Sequence, residues 1–89
     1  MRSLRTTGQF ERDLKKARRR GKASEKLWVI VEKLVRGEPI PARHRPHRLT
    51  GEWADHRECH IEPDWLLIWR ETDEELVLVR LGTHADLFE

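Results

Sequence analysis

From Gln9 onward the apolar residues fall at helical spacing. Phe10, Leu14 and Ala17 recur at i, i+4 and i+7, with Thr7 placed to cap the first turn. Gly21 ends this segment, and Ser24 stands where a second N-cap belongs. Leu27, Val31 and Leu34, widened by Trp28 and Val35, form another stripe that Gly37, Pro39 and Pro41 stop. The spacing predicts two short helices joined by a tight turn. Ahead of them, residues 2–6 read as an edge strand.

The period is lost between Gly37 and Leu49, where Pro39, Pro41 and Pro46 surround His44 and His47. A structureless connection of this length is uncommon in a small domain and often functional. After Thr50-Gly51 the period becomes two: Trp53, Cys59 and Ile61 share one parity, His56, Glu58 and His60 the other. A turn at Glu62-Pro63-Asp64 leads into Leu66 to Trp69, apolar on both faces, and an acidic turn at Thr72 to Glu75 leads into Leu76 to Leu81. Gly82 breaks that strand and leaves a short tail. Three consecutive strands with short turns form an antiparallel meander, the one large apolar surface on which two helices can bury their stripes. The expected fold is α+β, in the order β-α-α-β-β-β, with both N-terminal helices on one face of a small, mainly antiparallel sheet. One domain should span residues 1–89.

Charge changes this picture. The net charge of +2 conceals 15 Lys/Arg against 5 Asp/Glu in residues 1–48 and 3 against 11 in residues 49–89, giving +10 and −8. The basic half calls for an anionic partner. Lys15, Lys16, Arg18, Arg19, Arg20 and Lys22 put six cations in eight positions, a density that favours contact with phosphates or an acidic protein. Cys59 is the only cysteine, which excludes an internal disulfide framework and a cysteine-based zinc site. The lone thiol and the lack of a signal-peptide pattern point to the cytoplasm, and the short apolar runs exclude a helical membrane span.

All five histidines lie between residues 44 and 84, and imidazole changes charge near neutral pH. Solvated histidines need no shared site, but the turn at residues 62–64 keeps His60, Asp64 and Trp65 near one rim of the sheet. Arg80 interrupts an apolar strand. Unpaired burial of a guanidinium is costly, so it must meet a carboxylate such as Glu58 or Glu62, leave at the strand end, or face an anion. His84 follows near the same strand end, and Phe88 can cover that region from the tail. If these groups converge, imidazoles and a carboxylate can move protons while Arg80 stabilises a phosphorane, which suffices to cut RNA without metal. An aromatic at the edge could stack an unpaired base.

Metal binding is the competing use of the histidines. His44-x2-His47 and His56-x3-His60 have ligand-like spacings, but in an extended strand the four-residue step separates the rings by about 13 Å. No metal or cofactor is expected, and Cys59, on the apolar parity, reads as a buried structural thiol.

The order of elements, together with "PHRLTGEW", "RECHIEPDWLLIW" and "RLGTHADLF", closely resembles the YafQ branch of the RelE/ParE toxins across nearly the whole chain. The resemblance implies a ribosome-dependent mRNA endoribonuclease, the toxin half of a type II toxin–antitoxin pair. Carried over by position, it assigns catalytic roles to His47, His60, Asp64, Arg80 and His84, and substrate contacts to Trp65, Phe88 and Arg80. It implies His84 as general acid and Arg80 as phosphate stabiliser, with His47, His60 and Asp64 sharing proton removal and positioning. His44 and His56 gain no role and read as surface residues. The implied partners are a DinJ/RelB-like DNA-binding antitoxin dimer, the ribosome and mRNA, with operator DNA reached only through the antitoxin complex and no membrane contact. The alternatives are a superfamily member acting by binding, as a gyrase inhibitor or co-repressor, and a non-enzymatic nucleic-acid binder driven by the basic helix.

Overall fold

Thr7 starts the first helix as its sequence predicts: its Oγ1 accepts the Phe10 N–H at 3.0 Å and donates to the Val79 carbonyl at 2.8 Å. The computed structural model describes residues 1–88. The elements are β1 (Ser3–Thr6), α1 (Gly8–Arg19), α2 (Ser24–Arg36), β2 (His47–Arg48), β3 (Arg57–Glu62), β4 (Trp65–Glu71), β5 (Glu75–Gly82) and α3 (His84–Phe88). Short 3-10 turns at Ala42–His44 and Gly51–Trp53 flank β2.

The sheet order is β1-β5-β4-β3-β2. The β3-β4-β5 meander is antiparallel throughout, and β2 extends it antiparallel to β3. β1 pairs with β5 in parallel, Ser3 opposite Glu75 and Thr6 opposite Leu78. The α+β class is as expected, but the simple six-element order omits β2 and α3, and the sheet has one parallel edge.

Two cores sit on the two faces of the sheet. Phe10 and Leu14 of α1 and Leu27, Ile30, Val31 and Leu34 of α2 cover one face, against Cys59, Trp65, Leu67, Trp69, Leu78 and Leu81. Each such fully buried large side chain contributes about 1.5–3 kcal/mol. The other face carries Leu66 and Ile68 beneath Leu87 of α3, with Leu49, Trp53 and Val79 packed alongside.

Local departures from the pattern have physical causes. Trp28 is 37% exposed while Ile30 is buried, so the α2 stripe runs through 27, 30, 31 and 34. Ser24 lies inside α2; its N-cap is Ala23, with no side-chain hydrogen bond. Gly37 closes α2 in the left-handed conformation at φ +73°, where a Cβ would be strained. Trp53 leaves the strand parity because the 3-10 turn at Gly51–Trp53 redirects it to the second face. The tail expected after Gly82 folds as α3. Among the described residues, no helix is long and apolar enough to cross a membrane.

Candidate active site

Sheet register decides which side chains share the second face. Glu58 lies opposite Ile68, which lies opposite Arg80 on its other side; His60 lies opposite Leu66, and His47 opposite Glu58. Directly opposed residues share a face, so His47, Glu58 and His60 stand on the side away from α1 and α2, while Arg80 starts on that face and reaches round the open edge of β5 to Asp13 of α1. A bulge between Ile68 and Trp69 leaves Val79 unpaired and starts Arg80 on this face.

His84 opens α3 at the end of this face. Asp64 Oδ1 accepts its backbone N–H at 2.9 Å and bonds its Nδ1 at 2.7 Å. With Nδ1 carrying the proton toward Asp64, Nε2 is left free to exchange one with a substrate. These two bonds, the backbone one first, hold the Asp64 carboxyl below its usual range. The His60 ring lies 5.5 Å from that of His84, and its Nδ1 faces the Pro63 carbonyl at 3.2 Å.

A helix of one turn does not hold itself together, and α3 is fastened from outside. Thr83 and Asp86 cap each other: Thr83 N–H donates to Asp86 Oδ2 at 3.0 Å, and Asp86 N–H to Thr83 Oγ1 at 3.1 Å. Arg20 at 2.8 Å and Lys16 at 3.2 Å reach the same carboxylate from α1. The Arg20 bond, the Thr83 N–H and the Lys16 bond push the Asp86 carboxyl far below its usual range. Gly82 permits this closeness, because a Cβ there would lie 2.9 Å from Asp86 Cβ.

His47 and Glu58 form the second chemical unit. His47 Nε2 lies 3.1 Å from Glu58 Oε1 and its Nδ1 3.2 Å from the Arg48 carbonyl. Both ring nitrogens face oxygen atoms, and these two contacts orient the ring. Glu58 is 5% exposed, and its Oε2 is buried with no hydrogen-bond partner. Ligand atoms of His47, Glu58 and His60 all lie within 4.8 Å of one another. They are the side chains that could hold a metal ion, rather than either histidine pair of suggestive spacing.

Other expected site residues have different surroundings. The Arg80 guanidinium does not pair with Glu58 or Glu62: Nε donates to Asp13 Oδ2 at 2.8 Å and Nη2 to Asp13 Oδ1 at 3.4 Å. Asp13, 7% exposed, also accepts the Leu81 N–H and the Gln9 amide. Trp65 is 1% exposed in the helix-side core, so the expectation that its ring stacks a base at the rim is not met; Lys22 lies over it, 5.7 Å from its centroid. Phe88 is half-exposed on α3, where Leu87 does the burying. Of the basic run, Lys16 and Arg20 engage Asp86 and Lys22 engages Glu62, while Lys15, Arg18 and Arg19 are exposed. Lys26 and Lys22 together hold the Glu62 carboxyl below its usual range.

His56 packs edge-on against Trp53 at 5.0 Å, and burial, then Arg70, lowers its pKa. His44 is no idle surface residue, for its Nδ1 meets the His60 carbonyl at 2.8 Å. Burial pushes the Cys59 thiol up to about 12, in keeping with an inert core cysteine. Sequence reading missed Asp13, Glu58 and Asp86. Asp13 had a signal, an acid beside Leu14 on the apolar stripe; Glu58 shares the parity of His60. Asp86 had only its place three residues after Thr83.

The model of the YafQ family, bacterial toxins of type II toxin–antitoxin systems, matches residues 2–89. The chain belongs to the YafQ toxin family. The mRNA interferase toxin YafQ of Escherichia coli is 41% identical over 88 residues, covering 98% of this chain and 96% of that protein. The crystal structure of YafQ from an Escherichia coli strain superposes with a TM-score of 0.95 at 39% identity, covering 100% of both chains. YafQ in the DinJ–YafQ toxin–antitoxin complex of Escherichia coli does so with a TM-score of 0.92 at 40% identity, covering 99% of this chain and 98% of that one. A metal-bound toxin from Helicobacter pylori superposes with a TM-score of 0.92 at 36% identity, covering 99% and 100%. Within the YafQ fold, the second face of the sheet is thus a surface with one free imidazole nitrogen on a carboxylate-braced histidine and a buried carboxylate beside another.

Proposed function

We propose that this YafQ-family toxin is an mRNA endoribonuclease that cuts in the ribosomal decoding site without a metal cofactor. The observation that carries this reading is the division of labour between the two units: Asp64 braces His84 at 2.7 Å, and Glu58 meets His47 at 3.1 Å. His47, half-exposed and held at Nε2 by Glu58, accepts the proton of the attacking 2′-hydroxyl. His84 Nε2 gives a proton to the leaving 5′-oxygen. Asp64 bonds both to the backbone and to the ring of His84, so its role is positioning rather than proton removal.

His60, beside His84, and the edge of Arg80 not engaged by Asp13 stabilise the charge that gathers on the phosphorane. Phe88, half-exposed on α3, is the aromatic available to a base. The open face suits a substrate held in place by a larger body, and the names of the relatives agree: an mRNA interferase, and a toxin in complex with DinJ. A DinJ-like antitoxin, through which alone the toxin meets operator DNA, is the matching partner.

Purified protein added to translating ribosomes should release 5′ fragments ending in a 2′,3′-cyclic phosphate. An mRNA with a 2′-deoxynucleotide at the scissile position should stay whole. Equal cutting of the deoxy-substituted message would overturn the mechanism.

A further inference from the structure

The loop between α2 and β2 carries a charge the proposed chemistry does not use. Residues 37–46 hold Arg43 and Arg45 and one acid, Glu38, which pairs with Lys33 of α2 at 3.9 Å. Most cations elsewhere are matched, including Arg2 with Glu71, Lys16 and Arg20 with Asp86, Lys22 and Lys26 with Glu62, and Arg80 with Asp13. Among the described residues, Arg43 and Arg45 make no side-chain hydrogen bond or ion pair.

Their backbone is nonetheless fixed. Pro41 and Pro46 bracket a single 3-10 turn, His44 Nδ1 ties it to the His60 carbonyl at 2.8 Å, and Arg45 sits in the left-handed region at φ 48°, ψ 53°. Arg45 is the sole non-glycine residue with positive φ among the described residues. Such a conformation costs on the order of 1 kcal/mol and persists where the surroundings impose it.

Arg43, His44 and Arg45 of the loop line a cleft of about 500 Å³ together with His60 and His84. Its single lining acid, Glu62, is engaged by Lys22 and Lys26.

We propose that Arg43 and Arg45 form a phosphate subsite that holds the single-stranded RNA backbone next to the bond served by His84. The subsite rests on the nuclease reading and places the strand. It moves the principal phosphate contact from the basic helix, where three of the six cations already bind acids of the same chain, to the loop tied to β3. Arginine suits it, since a planar guanidinium can bond two phosphate oxygens at once.

The test is binding of a short 2′-O-methyl RNA, which cannot be cut, followed by fluorescence anisotropy across a salt series. Each phosphate contact on a single strand contributes about 0.7 to the slope of log K against log salt. Arg43→Gln/Arg45→Gln should reduce that slope by about 1.4, which is about a sevenfold change between 50 and 200 mM salt. Arg43→Lys/Arg45→Lys should keep it. An unchanged slope in the Gln variant, or an equal fall in the Lys variant, would overturn the subsite. Cleavage of unmodified mRNA on ribosomes is read separately with the unsubstituted protein. Failure there with a reduced slope in the Gln variant strikes the nuclease reading alone.

Discussion

Asp64 Oδ1 meets His84 twice, at its backbone N–H (2.9 Å) and at Nδ1 (2.7 Å), across twenty residues of sequence. One oxygen therefore sets both where α3 begins and which ring nitrogen faces the substrate. Asp64→Asn keeps the size but presents a weaker acceptor, and its amide can rotate an N–H toward Nδ1. Cleavage on ribosomes should fall about tenfold to a hundredfold, in kcat rather than KM. The loss should not add to that of His84→Gln, because Asp64 acts through His84; steady-state kinetics of the two single variants and the double variant check this.

Glu58→Gln weakens the acceptor that holds the proposed base, His47, while preserving volume. The rate should drop about tenfold to a hundredfold with the fold intact by circular dichroism. His47→Gln should cost more, about 10²–10⁴-fold, since it removes the base itself.

Asp13 is the buried acceptor for Arg80, Leu81 and Gln9. Asp13→Ala leaves the Leu81 N–H without its partner and frees the guanidinium, a loss of about 1–3 kcal/mol. For a domain of this size each kcal/mol lowers Tm by about 4–8 °C, which calorimetry resolves.

Asp86 has a folded-state pKa depressed by Arg20, Thr83 and Lys16. A group of this sign adds stability that is fully present above its unfolded pKa, about 3.9, and is lost as the pH falls through the folded value. Tm should therefore decline in acid below about pH 4, and Asp86→Asn should flatten that decline while lowering Tm at pH 7. Thermal melts of both proteins between pH 2 and 7 measure the difference.

How much of this was legible in the sequence depended on whether the signal was local. Phe10, Leu14 and Ala17 declared α1, and Thr7 its cap, because period and capping involve residues within one turn. The alternation through Cys59 and His60 also put Glu58 and His60 on one face, as the register shows. Three things were not local. The partner of Arg80 is Asp13, 67 residues away and visible only once α1 docks on β5. Trp65 lies beside Asp64 in sequence, yet strand pleating turns it into the opposite core. The residues after Gly82 fold as α3 because Asp86 finds Arg20 and Lys16, and no short-range pattern announces that contact.

The proposed role of His84, braced by Asp64, is that of the acid in a metal-free RNA cleavage. Its most direct test is the single-turnover rate of mRNA cutting on ribosomes for the unsubstituted protein and for His84→Gln, with and without a chelator selective for transition metals. The predicted result is a chelator-independent rate that falls at least about 10²-fold in the variant, whose Tm is retained. A variant that cuts at the unsubstituted rate, or cutting that stops when the chelator is added, would contradict it.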